Sequence, residues 1–244
     1  MKKVYDVTVD GICCSVTVSD DNEALQAAYA AGRAILGIWR IEEYEAGALE
    51  TKAGENTAAG EGRVRDTSGF DACLYLVISE EDITEQILER TARRHLDLPW
   101  HIAETKRLLI REFASSDPLE PESDYDGGGV FSDREKREAY RRSQYHFSEC
   151  GLWALVEKEH KIVVGKAGIT AGELGYHIYP QFQGCGYAKE ACRAILRYAA
   201  EELKLDEVLL KAEKSNTASL RLAEALGFFQ KEELETEVIY DKKL

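Results

Sequence analysis

The stretch Gln183-Gly184-Cys185-Gly186-Tyr187-Ala188 lies between a strand-like run, ELGYHIYP (173–180), and a helix-like run, KEACRAILRYAAEEL (189–203). Two glycines and an alanine at the mouth of a helix leave the backbone bare. Glycine lets the chain turn with positive φ and lets another molecule approach the main chain closely. The unpaired N–H groups of a helix's first turn favour negative charge. Strand, small-residue turn and helix in that order are what a phosphate-binding site requires, although such a turn also serves simply to join the two elements.

The 244 residues allow one large α/β domain or two smaller ones, since domains commonly run to ~100–150 residues. With 44% hydrophobic and 31% charged residues the chain has apolar material for a packed core and no signature of disorder. Its 45 acidic against 31 basic residues give a formal charge of −14. That charge argues against a broad nucleic-acid or anionic-membrane surface. It suits a cationic partner, and equally it keeps a protein in solution. Six cysteines, at 13, 14, 73, 150, 185 and 192, include no C-x-x-C pair and no histidine at zinc spacing, so reduced thiols and no metal site are expected. No stretch approaches ~18 uninterrupted apolar residues, and the N-terminus lacks an apolar core with a cleavage site. A cytoplasmic protein is the expectation.

The first hundred residues read as a strand (13–20), a helix (22–32) ending on Gly32, and an apolar run (33–39), which together make a βαβ unit. A polar stretch, 45–69, reads as a connector, 71–78 as a buried strand, and 79–96 as a helix capped by Ser79. Pro99 and the strand-like 104–113 begin a new pattern, which puts a domain boundary near residue 100. Beyond it come an irregular loop (115–131), a helix (132–149) capped by Ser132, strands at 151–159, 161–169 and 173–178, the glycine turn, a helix (187–203), a strand (207–212), a helix (216–227) and two closing strands.

The hexapeptide Gln183–Ala188 matches Gln/Arg-x-x-Gly-x-Gly/Ala, the pyrophosphate-binding signature of the Gcn5-related N-acetyltransferase (GNAT) superfamily. About thirty residues on, NTASLRLAEALGFF resembles that family's second signature, with Asn216 opening a helix that ends in Gly227-Phe228. The segment 101–244 therefore resembles a GNAT domain, and the run from SQYHFSECGLWAL to ELGYHI is most similar to the ribosomal-protein N-terminal acetyltransferase group. The resemblance implies a mixed, mostly antiparallel central sheet flanked by helices, and acetyl-CoA as co-substrate with no metal. It places the pyrophosphate on Gly184, Cys185, Gly186, Tyr187, Ala188 and Lys189, with Gln183 beside it. The pantetheine arm would follow the fourth strand near His177 and Ile178, and Asn216 would join the same site.

Transfer from a thioester to an amine needs a neutral amine, help for the oxyanion and help for the departing thiolate. An alkylammonium of pKa ~10.4 must lose a proton first, for which a carboxylate suits. Glu173 is the first candidate, with an ordinary surface glutamate as the alternative. A backbone N–H near Ile178 would meet the oxyanion. The tyrosine that many members carry seven residues after the Asn is replaced by Ala223, so Ser219, the donor proposed for the ribosomal-protein branch, is the second catalytic candidate. The acceptor is expected to be a primary amine of a small molecule or of a protein N-terminus. A non-catalytic acyl-CoA-binding sensor is the alternative, favoured by Ala223. Tyr140, Tyr145, His146 and Trp153 would border the acceptor pocket or pack in the core.

The run VTVSDDNEALQAAYAAGRAILGI resembles the closing part of haloacid dehalogenase-like phosphatases. However, Thr8 stands where their nucleophilic aspartate would be. Residues 1–100 are therefore expected to form a small Rossmann-like α/β domain without catalysis of its own, serving docking, homodimer formation or substrate covering.

Overall fold

The computed structural model describes residues 1–39, 70, 72–120, 129–146 and 148–244; the expected connector 45–69 and residues 121–128 of the expected loop 115–131 lie outside the described residues. The chain divides into two compact units, Met1–Leu98 and Pro99–Leu244.

The first unit is a four-stranded sheet of order β1-β2-β3-β4. Strands β1 (Lys2–Val9) and β2 (Ile12–Ser19) form an antiparallel hairpin, and both turn residues, Asp10 and Gly11, have positive φ. Asp-Gly is the pair that such a two-residue turn demands. Asp21 caps α1 (Asn22–Ala30), which leads to β3 (Ala34–Ile38), parallel to β2. Strand β4 (Leu76–Val77) pairs parallel with β3 at the edge. The buried strand expected over 71–78 is thus two residues long; Val77 is buried, whereas Leu74, Leu76 and Ile78, on the alternate face, are exposed. Ala34, Leu36 and Ile38 pack with Leu88 and Ala92 of α2 (Glu85–His95). Ile35 packs with Leu25 and Ala28 of α1. Successive β3 side chains alternate, so the two helices cover opposite faces.

Helix α2 starts six residues later than expected. Asp82 accepts hydrogen bonds from the Ser79 N–H (2.9 Å) and hydroxyl (3.0 Å), a local turn that competes with the helix, and Thr84 supplies the cap through the Ile87 N–H.

The second unit is an eight-stranded sheet of order β11-β12-β10-β9-β8-β7-β6-β5. Strands β5 (His101–Glu104) and β6 (Leu108–Arg111) form a hairpin where a single strand was expected over 104–113. Helix α3 (Arg134–Tyr140) is capped by Asp133 rather than Ser132 and runs into a π-turn, Arg141–Tyr145. Then follow β7 (Gly151–Glu157), β8 (Ile162–Thr170), β9 (Glu173–Ile178), α4 (Tyr187–Glu201), β10 (Glu207–Glu213), α5 (Thr217–Ala225), β11 (Phe229–Glu233) and β12 (Glu237–Lys243). Among the described strands of this sheet, every neighbouring pair is antiparallel except β9 and β10.

Strand β6 ends opposite Ala154, so the next β7 residue facing the same way, Leu152, loses its strand partner. Two tyrosines replace it. The Tyr140 hydroxyl accepts the Leu152 N–H at 2.6 Å, and the Tyr145 hydroxyl donates to the Leu152 carbonyl. Tyr145 and Trp153 are buried in the core, so these aromatic residues hold the sheet together instead of lining an open pocket. Tyr140→Phe keeps the ring but leaves the Leu152 N–H unmet, and should cost about 1–3 kcal/mol. A lower urea midpoint at constant m-value is the expected readout; an unchanged midpoint would show that the hydroxyl contributes nothing.

Candidate active site

Strand β9 pairs with β8 along its whole length, from Thr170↔Glu173 to Gly165↔Ile178. With β10 it pairs at one position, Leu209↔Glu173, next to a hydrogen bond from the Leu209 N–H to the Gly172 carbonyl (2.9 Å). Beyond that join the two parallel strands separate. The Tyr179 N–H bonds to Val164 on β8, at 3.0 Å. Backbone groups alternate along a strand, so those of Leu174 turn the other way, toward the join with Leu209, and the N–H and C=O of Tyr176 and Ile178 turn into the opening beyond it. Gln183 reaches back to donate to the Ile178 carbonyl at 3.0 Å, so of the Ile178 backbone groups the N–H is the one left facing the gap. The backbone of His177 is turned toward β8, where it pairs with Lys166, so only its side chain can meet a ligand.

The glycine turn sits at the mouth of this opening. Gly184 (φ 76°) and Gly186 (φ 80°) are both left-handed, and a side chain on Gly184 would project into open space. Gly186 is the N-cap residue of α4 and has no side chain to cap it. The first-turn N–H groups of Tyr187, Ala188 and Lys189 therefore point outward without intrahelical acceptors, at the positive end of a 15-residue helix. The geometry is that of an anion cradle. Cys185 is exposed, and its thiol leans on the Gln183 carbonyl at 3.7 Å.

A clamp invisible in the local sequence holds the cradle. The Arg107 guanidinium, from the β5–β6 turn, donates to the Cys185 carbonyl (2.9 Å), stacks 4.5 Å from the centre of the Tyr187 ring and pairs with Glu190 at 2.7 Å. Glu190 also accepts from the Thr105 hydroxyl (2.7 Å) and the Arg107 N–H (2.9 Å). Burial works against its ionisation, but these hydrogen bonds and the Arg107 charge outweigh it and hold the carboxyl below its ordinary range.

The register of β8 and β9 sorts the remaining candidates onto two faces. Leu174, Tyr176 and Ile178 share one face, where the Tyr176 hydroxyl donates to Ser219 Oγ at 2.7 Å across to α5. Burial raises the Tyr176 hydroxyl above its ordinary pKa, against a smaller lowering from that hydrogen bond, so it stays protonated near neutrality. Asn216 caps α5, accepting the Ser219 N–H at 3.0 Å. That leaves its amide nitrogen for a ligand. Ala223 is fully buried in the core.

Glu173 and His177 lie on the other face. Glu173 forms an ion pair with Lys211 of β10 at 2.6 Å, which raises the lysine above its ordinary pKa through the hydrogen bond and the carboxylate charge. Beside His177, the buried Lys166 pairs with the buried Glu120 at 2.7 Å, and the Tyr179 hydroxyl donates to the second Glu120 oxygen at 2.7 Å. This network ties the segment before residue 121 to the sheet. Sequence reasoning brought Gln183, the glycine turn and Ile178 together at one opening, but missed Tyr176 on the same strand and Glu190 one step past Lys189, as well as Arg107 and Lys211, which tertiary contacts bring there.

Residues 99–229 match the family model described as "Acetyltransferase (GNAT) domain". The chain is 29% identical over 146 residues to the uncharacterized N-acetyltransferase YnaD of Bacillus subtilis, covering 52% of this chain and 85% of that protein. It is 39% identical over 86 residues to YdaF of Bacillus subtilis, a candidate ribosomal N-acetyltransferase, covering 35% of this chain and 43% of that protein. Among solved structures, a candidate ribosomal-protein-serine acetyltransferase from Vibrio cholerae superposes with a TM-score of 0.50 at 20% identity, over 59% of this chain and 98% of that one, a likeness of fold alone. With the family model spanning more than half of the chain and the opened sheet carrying the glycine turn at its mouth, the chain belongs to the GNAT acetyltransferase family.

Proposed function

We propose that the protein transfers the acetyl group of acetyl-CoA directly to a primary amine of a small molecule or a protein N-terminus. The observation that carries this reading is the parting of β9 from β10 with an uncapped helix N-terminus at its mouth. The pyrophosphate would rest on the backbone of Gly184, Cys185, Gly186, Tyr187 and Ala188, with Lys189 and Gln183 beside it. The pantetheine amides would bond to the β9 edge as another strand would, entering beside Asn216.

In the proposed reaction the amine nitrogen attacks the thioester carbonyl, and the oxyanion that forms is met by the Ile178 N–H, a fixed dipole needing no reorganisation. The C–N bond forms, the C–S bond breaks and the thiolate departs beside Ser219. Glu173 lies five residues before Ile178, ~16 Å along the strand, so it would receive the proton of the amine through a chain of waters. Its carboxylate is occupied by the ion pair with Lys211 at 2.6 Å, which favours proton transfer by way of water. The name of YdaF, a candidate ribosomal N-acetyltransferase, favours a ribosomal acceptor. The name of the FsC-acetyl coenzyme A-N(2)-transacetylase of Aspergillus fumigatus, 44% identical over 55 residues, favours acetyl-CoA as the donor. A second reading, a non-catalytic acyl-CoA sensor, is favoured by Ala223 in the place of the usual tyrosine.

Calorimetric titration with acetyl-CoA, paired with thiol release across amines and N-terminal peptides, tests these readings. Binding with release for one acceptor class is expected; binding without release from any acceptor would support the sensor, and no binding would overturn both. Gly186→Glu brings bulk and negative charge onto the cradle in a backbone conformation that L-residues avoid, so acetyl-CoA affinity should fall more than ~10-fold, or at least ~1.4 kcal/mol. Unchanged affinity would sink the assignment of the loop. Arg107→Ala loosens the cradle without touching the reacting atoms. Its side chain is 40% exposed, so the expected loss is modest: about 1 kcal/mol, or a KM for acetyl-CoA raised ~5-fold at unchanged kcat.

A further inference from the structure

The hydroxyls of Tyr176 and Ser219 meet at 2.7 Å, one from the strand bordering the opening and the other from the first turn of α5. Three features of the pair point to a shared task. The Ser219 N–H is already committed to the Asn216 cap, which fixes the serine's backbone relative to the strand. Ser219 Oγ accepts the phenolic hydrogen, so its own hydrogen is directed away from Tyr176. A hydroxyl that accepts one hydrogen bond becomes a stronger donor in the next, because chained hydrogen bonds polarise one another. The two side chains also stand on the helix-covered face of β9, opposite the face of Glu173 and His177. Ala223, whose methyl group is fully buried, provides no phenol from the helix.

Resting on the acetyltransferase reading, we propose that Tyr176 is a positioning residue for the leaving group: it aims and polarises the Ser219 hydroxyl toward the departing sulfur of CoA. When the C–S bond breaks, its electron pair goes to sulfur and the Ser219 O–H donates a hydrogen bond to the thiolate. Neither hydroxyl loses its proton. The thiolate takes its own from water once the acetyl group has left. The phenol that many relatives carry on the helix arrives here from the strand and acts through a serine.

A test that needs no acceptor amine is titration of the thiol of bound CoA, followed by the ultraviolet absorbance of the thiolate. The desulfo-CoA complex serves as the blank for the protein's own tyrosines and cysteines. A hydrogen bond to the thiolate should lower the bound thiol by about one pKa unit from its free value near ~8.5. Ser219→Ala should abolish the shift, Tyr176→Phe should remove about half of it, and the double variant should be no worse than Ser219→Ala alone. CoA affinity should stay within twofold in Tyr176→Phe, and with an active acceptor its kcat should fall about three- to tenfold at constant KM for acetyl-CoA. A bound thiol that titrates like free CoA, or one equally shifted in wild type and Tyr176→Phe, overturns the proposal. So does loss of CoA binding in Tyr176→Phe, which would make the pair part of the binding surface. If the wild-type protein binds no CoA, the acetyltransferase reading fails and this proposal fails with it; binding with an unshifted sulfur sinks this proposal alone.

Discussion

One join, between Gly172 and Leu209, keeps β9 and β10 in a single sheet while letting them part. Each strand is committed elsewhere, β9 to β8 and β10 to β12, both antiparallel and along their lengths. The antiparallel neighbours set the direction of each strand, and the parallel contact between them yields. The consequence is a row of main-chain donors and acceptors on β9 with no strand to satisfy them. Buried backbone groups demand partners, so such a row is stable only where water or an amide-bearing ligand can reach it. An unfinished sheet of this kind offers an edge to such a ligand.

Charge plays a smaller part at the mouth of that opening than a phosphate ligand would suggest. The chain carries −14 overall, and the arginine closest to the cradle is already neutralised by Glu190. Arg107 spends its donors on Glu190 and on the Cys185 carbonyl, so its main task is to fix the loop's shape. What remains for an anion is the set of first-turn N–H groups of α4, with Lys189 as a flexible addition. Fixed dipoles of this kind bind at a defined place and in a defined direction, whereas a cluster of exposed lysines attracts any anion and weakens with salt.

The parts of the site that were legible in the sequence are those whose physics is local. A glycine turn before a helix, an asparagine cap at Asn216 and a period-two strand at 173–178 each need only their neighbours in sequence, and each is where the pattern put it. Caps were misplaced where two local solutions competed: Ser79 joined a turn with Asp82, leaving the helix start to Thr84, and Asp133 displaced Ser132. Arg107 and Glu190 are 83 residues apart, and Tyr176 and Ser219 are 43 apart, so no spacing rule links them. For Tyr140 and Tyr145 the family resemblance left two places open, the border of the acceptor pocket or the core. Their hydroxyls serve Leu152, a demand created by where β6 happens to end.

The alternation of β9 offers a reason for dividing the proposed chemistry as it is divided. Leu174, Tyr176 and Ile178 project to the helix face with Ser219, and Glu173, Gly175 and His177 to the other, where the Glu120–Lys166 pair is buried. A transferred acetyl group must be approached from one side by the amine and left on the other by sulfur. A strand with a period of two presents opposite faces within a single residue step, while its backbone N–H points sideways into the gap between them. In the proposed reaction, base, oxyanion donor and leaving-group donor would take three directions from one strand, with Glu173 at its start and Ile178 at its end. Moving the phenol from Ala223 to Tyr176 preserves this separation, because Tyr176 lies on the face that already holds Ser219.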